Sequence, residues 1–338
     1  MTDSTTWIDD EEKYAVIALN VKLDFPMPLQ KMTPDHWAFS DVRFDLPAHW
    51  RDWLGTIRTQ AVERSNLFLL SKAQSWDPDV LDGESVKLKH QAQLFYASLL
   101  LASRFAPADK PIMLSGYRRA GEIIIRSQDE FDPPIPSLVR RYPAVTLAEL
   151  QLAARIASQI AAIETTSLPG GHWRLFRVLH LYYEACTIIS NMDRLHQYCR
   201  CIDGLIVPDA GKTKRQFKSR TELFIGPHHH DMMGEIYDVR SDVEHLHENK
   251  HLEIFDRLAM LELVKKLEMI EFVVRSALVR IVVEPKFWPS FANTVALQAF
   301  WARSEQDRRA LWGDPINPDD AIADFDPQYI SDAELGGT

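Results

Sequence analysis

The stretch DPPIPSLVRRYPAVTLAELQLAARIASQIAAIET, residues 132–165, decides the fold because the pattern of the chain changes within it. Four prolines lie in 132–143. Proline removes a backbone donor and disfavours helix before it, so this part predicts a linker or domain edge. Thr146 followed by Glu149 has the spacing of a capping box, and the alanine- and isoleucine-rich run after it predicts a helix to about residue 165.

The region before this stretch, residues 1–145, has a mixed pattern. Residues 14–24 and 121–127 are rich in apolar and β-branched types, which predicts strands. Residues 50–71 have a roughly helical spacing of apolar positions, and 86–105 form a firmer helical pattern that is apolar on much of its surface. We therefore predict an α+β region that senses or binds a ligand or protein.

The region after it, residues 146–312, is predicted to be an all-α helical bundle, and the whole chain is predicted to be predominantly helical. A capping-box candidate, Ser219 to Glu222, is expected to begin one helical segment. Residues 313–338 are an acidic tail without Lys or Arg, so loose order is expected there. The predicted helical segments of the bundle cover 146–165, 173–204, a segment from 219, 231–249, 252–283 and 290–312.

Composition narrows the class of protein. The chain has 338 residues, 46% hydrophobic content and a formal net charge of -10, which argues against a generally basic nucleic-acid-coating protein but permits a local basic site. Three cysteines do not make a disulfide framework, the N-terminus is acidic, and the uncharged run His90–Ser103 is shorter than the roughly 20 residues of a spanning helix. These observations predict a cytoplasmic protein that does not associate with membranes.

Residues 212–251 hold the side chains best suited to chemistry. Arg240 stays charged and presents a planar fork that suits phosphate oxygens, whereas His245 titrates near neutral pH and can exchange protons with hydroxyls. Together they could cleave RNA without a metal. The same window contains a basic cluster that is a candidate for contact with the RNA backbone: Lys212, Lys214, Arg215, Lys218 and Arg220.

The spacing of the pair raises a geometric problem. Positions five apart on a regular helix point about 140° away from each other. Arg240 and His245 therefore need a helix end, a kink or a second chain to converge. His247 lies seven residues after Arg240 and shares its helix face, so His247 is a rival for the acid/base role.

The order Tyr237, Val239, Arg240, Ser241 and His245 resembles the motif of the HEPN superfamily, specifically its Apea-like branch. The segment 212–226 and the long helix before it, which carries Glu184, also resemble that branch. The resemblance covers roughly residues 146–285.

This resemblance implies a metal-independent endoribonuclease that acts as a homodimer, with two copies of the motif facing each other. It also implies a bacterial toxin or antiphage defence role. By the same resemblance His245 is the general acid/base, Arg240 stabilises charge on the phosphate, and Ser241 supports them. Tyr237 and Glu184 are further supporting residues, and no cofactor or metal is implied.

Three alternatives remain. The family often has Gly after the His, and this chain has Leu246, which favours a catalytically inactive HEPN scaffold that binds a nucleotide or a partner protein. Arg240 and His245 could instead be surface residues paired with nearby carboxylates. The run His228–His230 invites a metal site, but three adjacent histidines cannot all face one ion, and a polar turn between helices is the competing interpretation.

Overall fold

The computed structural model describes residues 7–40, 46–136, 142–167, 169–245 and 257–325. The chain divides into two compact units: unit 1 is Met1–Pro134 with Tyr142–Glu164, and unit 2 is Ile135–Arg141 with Thr165–Thr338. The predicted boundary at 145/146 lies just before a helix whose residues up to Glu164 are part of unit 1. The chain then passes from unit 1 to unit 2 between Glu164 and Thr165.

Unit 1 contains a six-stranded antiparallel sheet. Its strands, in chain order, are β1 (Glu12–Leu19), β2 (Gln30–Thr33), β3 (His36–Phe39), β4 (Leu67–Gln74), β5 (Ile112–Arg119) and β6 (Glu122–Glu130). Their order across the sheet is β2-β3-β4-β1-β5-β6. Strand β1 pairs with both β4 and β5, and seven of its eight residues are buried, as expected for a central strand covered on both faces.

Three helices complete unit 1: α1 (Ala48–Arg64), α2 (Gly83–Ala102) and α3 (Leu147–Thr166). Helix α1 is interrupted at Gly55, whose φ of 76° is one that glycine tolerates best. The predicted capping box is confirmed at α3, because the Glu149 N–H donates to Thr146 Oγ1 at 3.2 Å and the Thr146 N–H donates to Glu149 Oε2 at 2.8 Å.

Unit 2 is helical throughout its described part. Its helices are α4 (Trp173–Thr187), α5 (Asn191–Ile206), α6 (Thr213–Ile225), α7 (His230–Glu244), α8 (Arg257–Val283), α9 (Trp288–Phe291), α10 (Thr294–Ala302) and α11 (Glu305–Trp312). Helix α5 packs against α4, α6, α7 and α8, so it is the central helix of the unit.

Helices α4 and α5 come unusually close at Gly204. A Cβ atom at that position would lie 2.3 Å from Cγ2 of Val178, a distance that side chains do not tolerate. Valine is stiff at χ1 in a helix, so Val178 cannot turn away. The missing side chain at Gly204 therefore fixes how closely the two helices approach.

The three cysteines, Cys186, Cys199 and Cys201, are free thiols buried in unit 2. Burial raises the pKa of each thiol above its ordinary value. The prediction that they are reduced thiols at or near the bundle core agrees with this placement.

Several predicted elements need correction. The run 50–71 is not one helix, because α1 ends at Arg64 and the apolar residues from Leu67 form β4 in the middle of the sheet. The run 173–204 is divided by Ser190, whose side chain caps α5 by accepting a hydrogen bond from the Asp193 N–H. The first error arises because tertiary burial overrides local periodicity, and the second because a side-chain cap begins a new helix inside a helical pattern.

Two further corrections concern the later helices. Ser219 does not begin a helix, since α6 starts at Thr213 and Ser219 lies inside it. Residues 290–312 are not one helix, because the side chains of Asn293 and Ser304 cap two separate helices. Among the described helices none is both long and apolar enough to cross a membrane.

Candidate functional site

Arg240 lies on α7 in a polar and aromatic environment. Its side chain is 14% exposed, and its guanidinium donates to Oδ2 of Asp203 on α5 at 3.4 Å. A second ion pair joins Nη1 to Oε2 of Glu244, one turn further along α7, at 2.5 Å. The guanidinium also lies 5.3 Å from the ring centroid of Tyr237. Arg240 is thus held by two carboxylates and one aromatic face.

Asp203 is the carboxylate most affected by this environment. Burial raises its pKa to about 6, and the neighbouring Arg240 guanidinium partly opposes that rise. His196 lies on the same face of α5, seven residues earlier, and its pKa is lowered first by burial and then by the charge of Arg240. A histidine that sequence inspection did not single out is therefore electrostatically linked to Arg240.

An open groove of about 430 Å³ lies beside this cluster. It is lined by α4, α5 and α7 and by the two residues that follow α5. We call it the arginine groove. Its charged lining consists of four guanidinium groups and one carboxylate, and its other lining residues are apolar. The lining residues are Trp173, Arg174, Arg177, Val178, Leu181, Arg200, Asp203, Gly204, Val207, Pro208 and Arg240.

The structure places His245 at the C-terminal end of α7. Its backbone N–H donates to the Ser241 carbonyl at 3.0 Å, which continues the helical pattern, and its side chain is exposed. Arg240 and His245 are therefore separated by about 140° around the helix axis. The helical backbone bond thus keeps the two positions at their regular helical separation. Ser241, which directly follows Arg240 in the chain, is half-buried.

The supporting residues have different positions. Tyr237 is buried under Arg240 and packs against Phe217 with ring centroids 5.3 Å apart. Glu184 is half-exposed on α4 and pairs with His180 at 3.0 Å. The predicted rival His247 lies outside the described residues.

The predicted basic cluster is largely occupied by contacts within the chain. Lys214 pairs with Asp238 at 2.5 Å, Lys218 with Asp231 at 3.2 Å, and Lys212 with Asp209 at 3.8 Å. Lys212, Lys214 and Arg215 line one surface depression, together with Gly211, Thr213 and Tyr237. Arg215 and Arg220 line a second one, together with Arg308 and Arg309.

Arg220 has a structural environment. Its guanidinium donates at 2.6 Å to the carbonyls of both Ile206 and Val207, at the end of α5. It also stacks 5.5 Å from the ring centroid of Trp301. Arg220 therefore satisfies the exposed carbonyls at a helix C-terminus, where a cation is favourable.

The histidine run does not converge on one point. His230 forms a short contact with Glu222, and His229 lies 3.9 Å from Asp319. Residues 227–229 form a 3-10 turn before α7, in agreement with a polar turn between helices. Within the described ranges, no group of three His, Cys, Asp or Glu side chains could hold a metal ion.

Most residues of the arginine groove are not among the predicted site residues. Arg174 and Arg177 lie one turn apart on the groove face of α4, and Arg200 and Asp203 are similarly spaced on α5. The i, i+3 spacing of these pairs was visible in the sequence. Their convergence was not, because it depends on the packing of α4 on α5 around Gly204.

No family model matches the chain, and no curated protein or solved structure was found to be similar to it.

Proposed function

We propose that unit 2 binds RNA and cleaves it without a metal, as an endoribonuclease of the HEPN type. The supporting observation is the position of Arg240 in a groove with three other arginines, in a chain whose net charge is -10. Phosphodiesters are the polyanions that such a set of guanidinium groups suits best. The sequence order Tyr237 to His245 supplies the resemblance to the family.

The proposed chemistry needs an acid/base group and a charge stabiliser. A histidine takes the proton of the 2′-OH, the 2′ oxygen bonds to phosphorus, and the bond from phosphorus to the 5′ oxygen breaks. The leaving oxygen takes up a proton, which yields a 2′,3′-cyclic phosphate and a 5′-OH end. Arg240 balances the charge on the phosphate, and His245 is the proposed acid/base residue.

A homodimer accounts for the geometry of the pair. Arg240 donates to Asp203 on α5, and the position of His245 lies about 140° further around α7. A second copy of the chain can bring its own His245 to the Arg240 of the first, so that each cleft contains both groups. In this proposal unit 1 receives the trigger, the protein works in the bacterial cytoplasm, and its role is that of a toxin or defence effector.

The alternative is a catalytically inactive HEPN scaffold that binds a nucleotide or a partner. It is favoured by the two carboxylates on Arg240, since Asp203 and Glu244 already occupy the guanidinium. In that case the groove binds its ligand but no bond is broken.

The test is cleavage of a labelled oligoribonucleotide in EDTA. We expect wild type to form 2′,3′-cyclic phosphate ends, Arg240→Ala to lose about 100-fold or more in rate, and His245→Ala a similar factor. The controls are Arg155→Ala and His90→Ala, which change exposed residues of unit 1. Loss of activity in His196→Ala with full activity in His245→Ala would transfer the acid/base role to His196. Cleavage that survives Arg240→Ala would end the proposal.

A further inference from the structure

We infer that the arginine groove binds a single-stranded segment of RNA, with Arg174, Arg177 and Arg200 on successive phosphates and Trp173 stacked on a base. The identity of the ligand as RNA rests on the proposed function. The existence of an anion site rests on the groove itself. The site lies beside Arg240, so the bound strand continues from the groove toward the bond that is cleaved.

The charge of the groove is the first argument. Most cations of unit 2 have a carboxylate partner, as Lys214 and Lys266 do. Arg174 and Arg177 form no ion pair with any residue in the described part of the chain, and Nε of Arg174 is buried without a hydrogen-bond partner there. Four guanidinium groups that share a groove with one carboxylate repel each other, and an anionic ligand reduces that repulsion.

The exposed tryptophan is the second argument. Trp173 is the first residue of α4 and is 63% exposed, although a large aromatic side chain is normally well covered. Every base has a flat face that stacks on an indole ring, irrespective of sequence. A tryptophan at the mouth of a cationic groove is the arrangement that single-strand binders use.

The shape of the groove is the third argument. Its apolar lining includes Val178, Leu181, Val207 and Pro208, which suit the apolar faces of a sugar and a base. Trp173 and Arg200 are both exposed, so the groove is open to solvent at these residues. An open groove admits a strand that passes through it, whereas a free nucleotide is more often enclosed.

The test measures binding separately from cleavage. A 2′-O-methyl oligonucleotide lacks the attacking hydroxyl, so fluorescence anisotropy of the labelled strand reports affinity alone. We expect Arg174→Ala/Arg177→Ala to weaken binding at least tenfold and to reduce the slope of log affinity against log salt by about 1 to 2. We expect Trp173→Ala to weaken it about tenfold and Trp173→Phe to retain most of the affinity.

The matched control is Arg64→Ala/Arg155→Ala, which removes two exposed arginines from unit 1 and leaves net charge equal to that of the groove variant. Circular dichroism and thermal melting establish that each variant is folded. Unchanged affinity in both groove variants overturns the inference, and so does a lack of binding by wild type. Free mononucleotide that binds as tightly as the oligonucleotide overturns the single-strand assignment.

The failure of one proposal can be told from the failure of the other. Binding that depends on the groove, without any cleavage by wild type, removes the ribonuclease and leaves the groove as an RNA site. Cleavage that depends on Arg240, with affinity unaffected by the groove variants, removes the groove and leaves the ribonuclease.

Discussion

A buried cation of unit 1 and two partly buried cations of unit 2 differ in whether they have carboxylate partners. In unit 1, Lys13 is 1% exposed, and its ammonium lies 2.9 Å from Oδ2 of Asp82 and 3.6 Å from Oε2 of Glu84. In unit 2, Arg174 and Arg177 line the arginine groove with no carboxylate partner in the described chain. The first cation has its counterions within the same unit, and the other two have none among the described residues.

The difference separates a structural charge from a binding charge. Asp82 also caps α2 by accepting the Ser85 N–H, so Lys13 connects β1 to the start of a helix. The Lys13 ammonium, followed by the Ser85 N–H, lowers the pKa of Asp82 to about 2. A buried cation with its counterions is part of the fold and is costly to unpair, whereas cations without a carboxylate partner in the described residues are available to a ligand.

The largest expected effect is at Lys13. We expect Lys13→Ala to lower the free energy of unfolding by about 3 kcal/mol, because it empties a buried site and removes the ion pairs with Asp82 and Glu84. Arg177→Ala should change it by less than about 0.5 kcal/mol and reduce oligonucleotide affinity instead. Urea unfolding of the full chain measures both. Equal destabilisation by the two substitutions would contradict the distinction.

The next effect concerns the pH dependence of stability at Asp203. In the folded chain burial raises its pKa to about 6, whereas its ordinary value is 3.8. Between these values the folded state holds the extra proton, so ionising Asp203 lowers the free energy of unfolding as pH rises from about 4 to about 6. Asp203→Asn removes this contribution.

The measurement compares wild type and Asp203→Asn by urea unfolding at several pH values. We expect the wild type to lose about 1 to 3 kcal/mol relative to the variant across that window, and the difference to stay constant above it. Two curves that run parallel from pH 4 to 7 would show that burial does not raise this pKa.

A smaller effect is expected at the contact between α4 and α5. Gly204→Ala places a methyl group against Val178, which costs about 1 to 3 kcal/mol in overpacking, and the gain in helix propensity returns about 1 kcal/mol of it. The control is Gly83→Ala, where a Cβ meets nothing within 4 Å. Thermal melting of the two variants is the measurement, and equal melting temperatures would contradict the close approach.

The smallest effect is expected at Glu184. Its pair with His180 joins two largely exposed side chains one turn apart, so Glu184→Gln should change the free energy of unfolding by less than about 0.5 kcal/mol. The predicted supporting role of this residue is tested in the cleavage assay. A rate loss above tenfold in Glu184→Gln would favour that role, and an unchanged rate would leave only the surface pair.

The fold was predictable where pattern and burial agree. The helices α2 and α7 follow from their helix-compatible patterns, α3 follows from its capping box, and strand β1 follows from its apolar and β-branched run. The strands β2, β3 and β5 were missed, since their stability comes from pairing with residues far away in sequence. Chain-local patterns carry no record of such pairing.

The candidate site was predictable only in part. Arg240 was identified through its neighbours in sequence, and the groove in which it lies was not. The partners of Lys214 and Lys218 were also missed, because Asp238 and Asp231 approach them only when α7 packs on α6. The sequence indicates which residues are able to bind phosphate. Which of them already have a carboxylate partner within the chain depends on how the helices pack.

The burial of all three cysteines has a consequence for assembly. Thiols that are enclosed in the folded unit and hard to ionise do not reach a second chain, so oxidising conditions cannot crosslink native subunits through them. The homodimer that we propose would accordingly be held by noncovalent contacts alone. Its dissociation constant will therefore be the same with and without reductant. A single cysteine introduced on the surface will be the one thiol of the folded protein that reacts with a label.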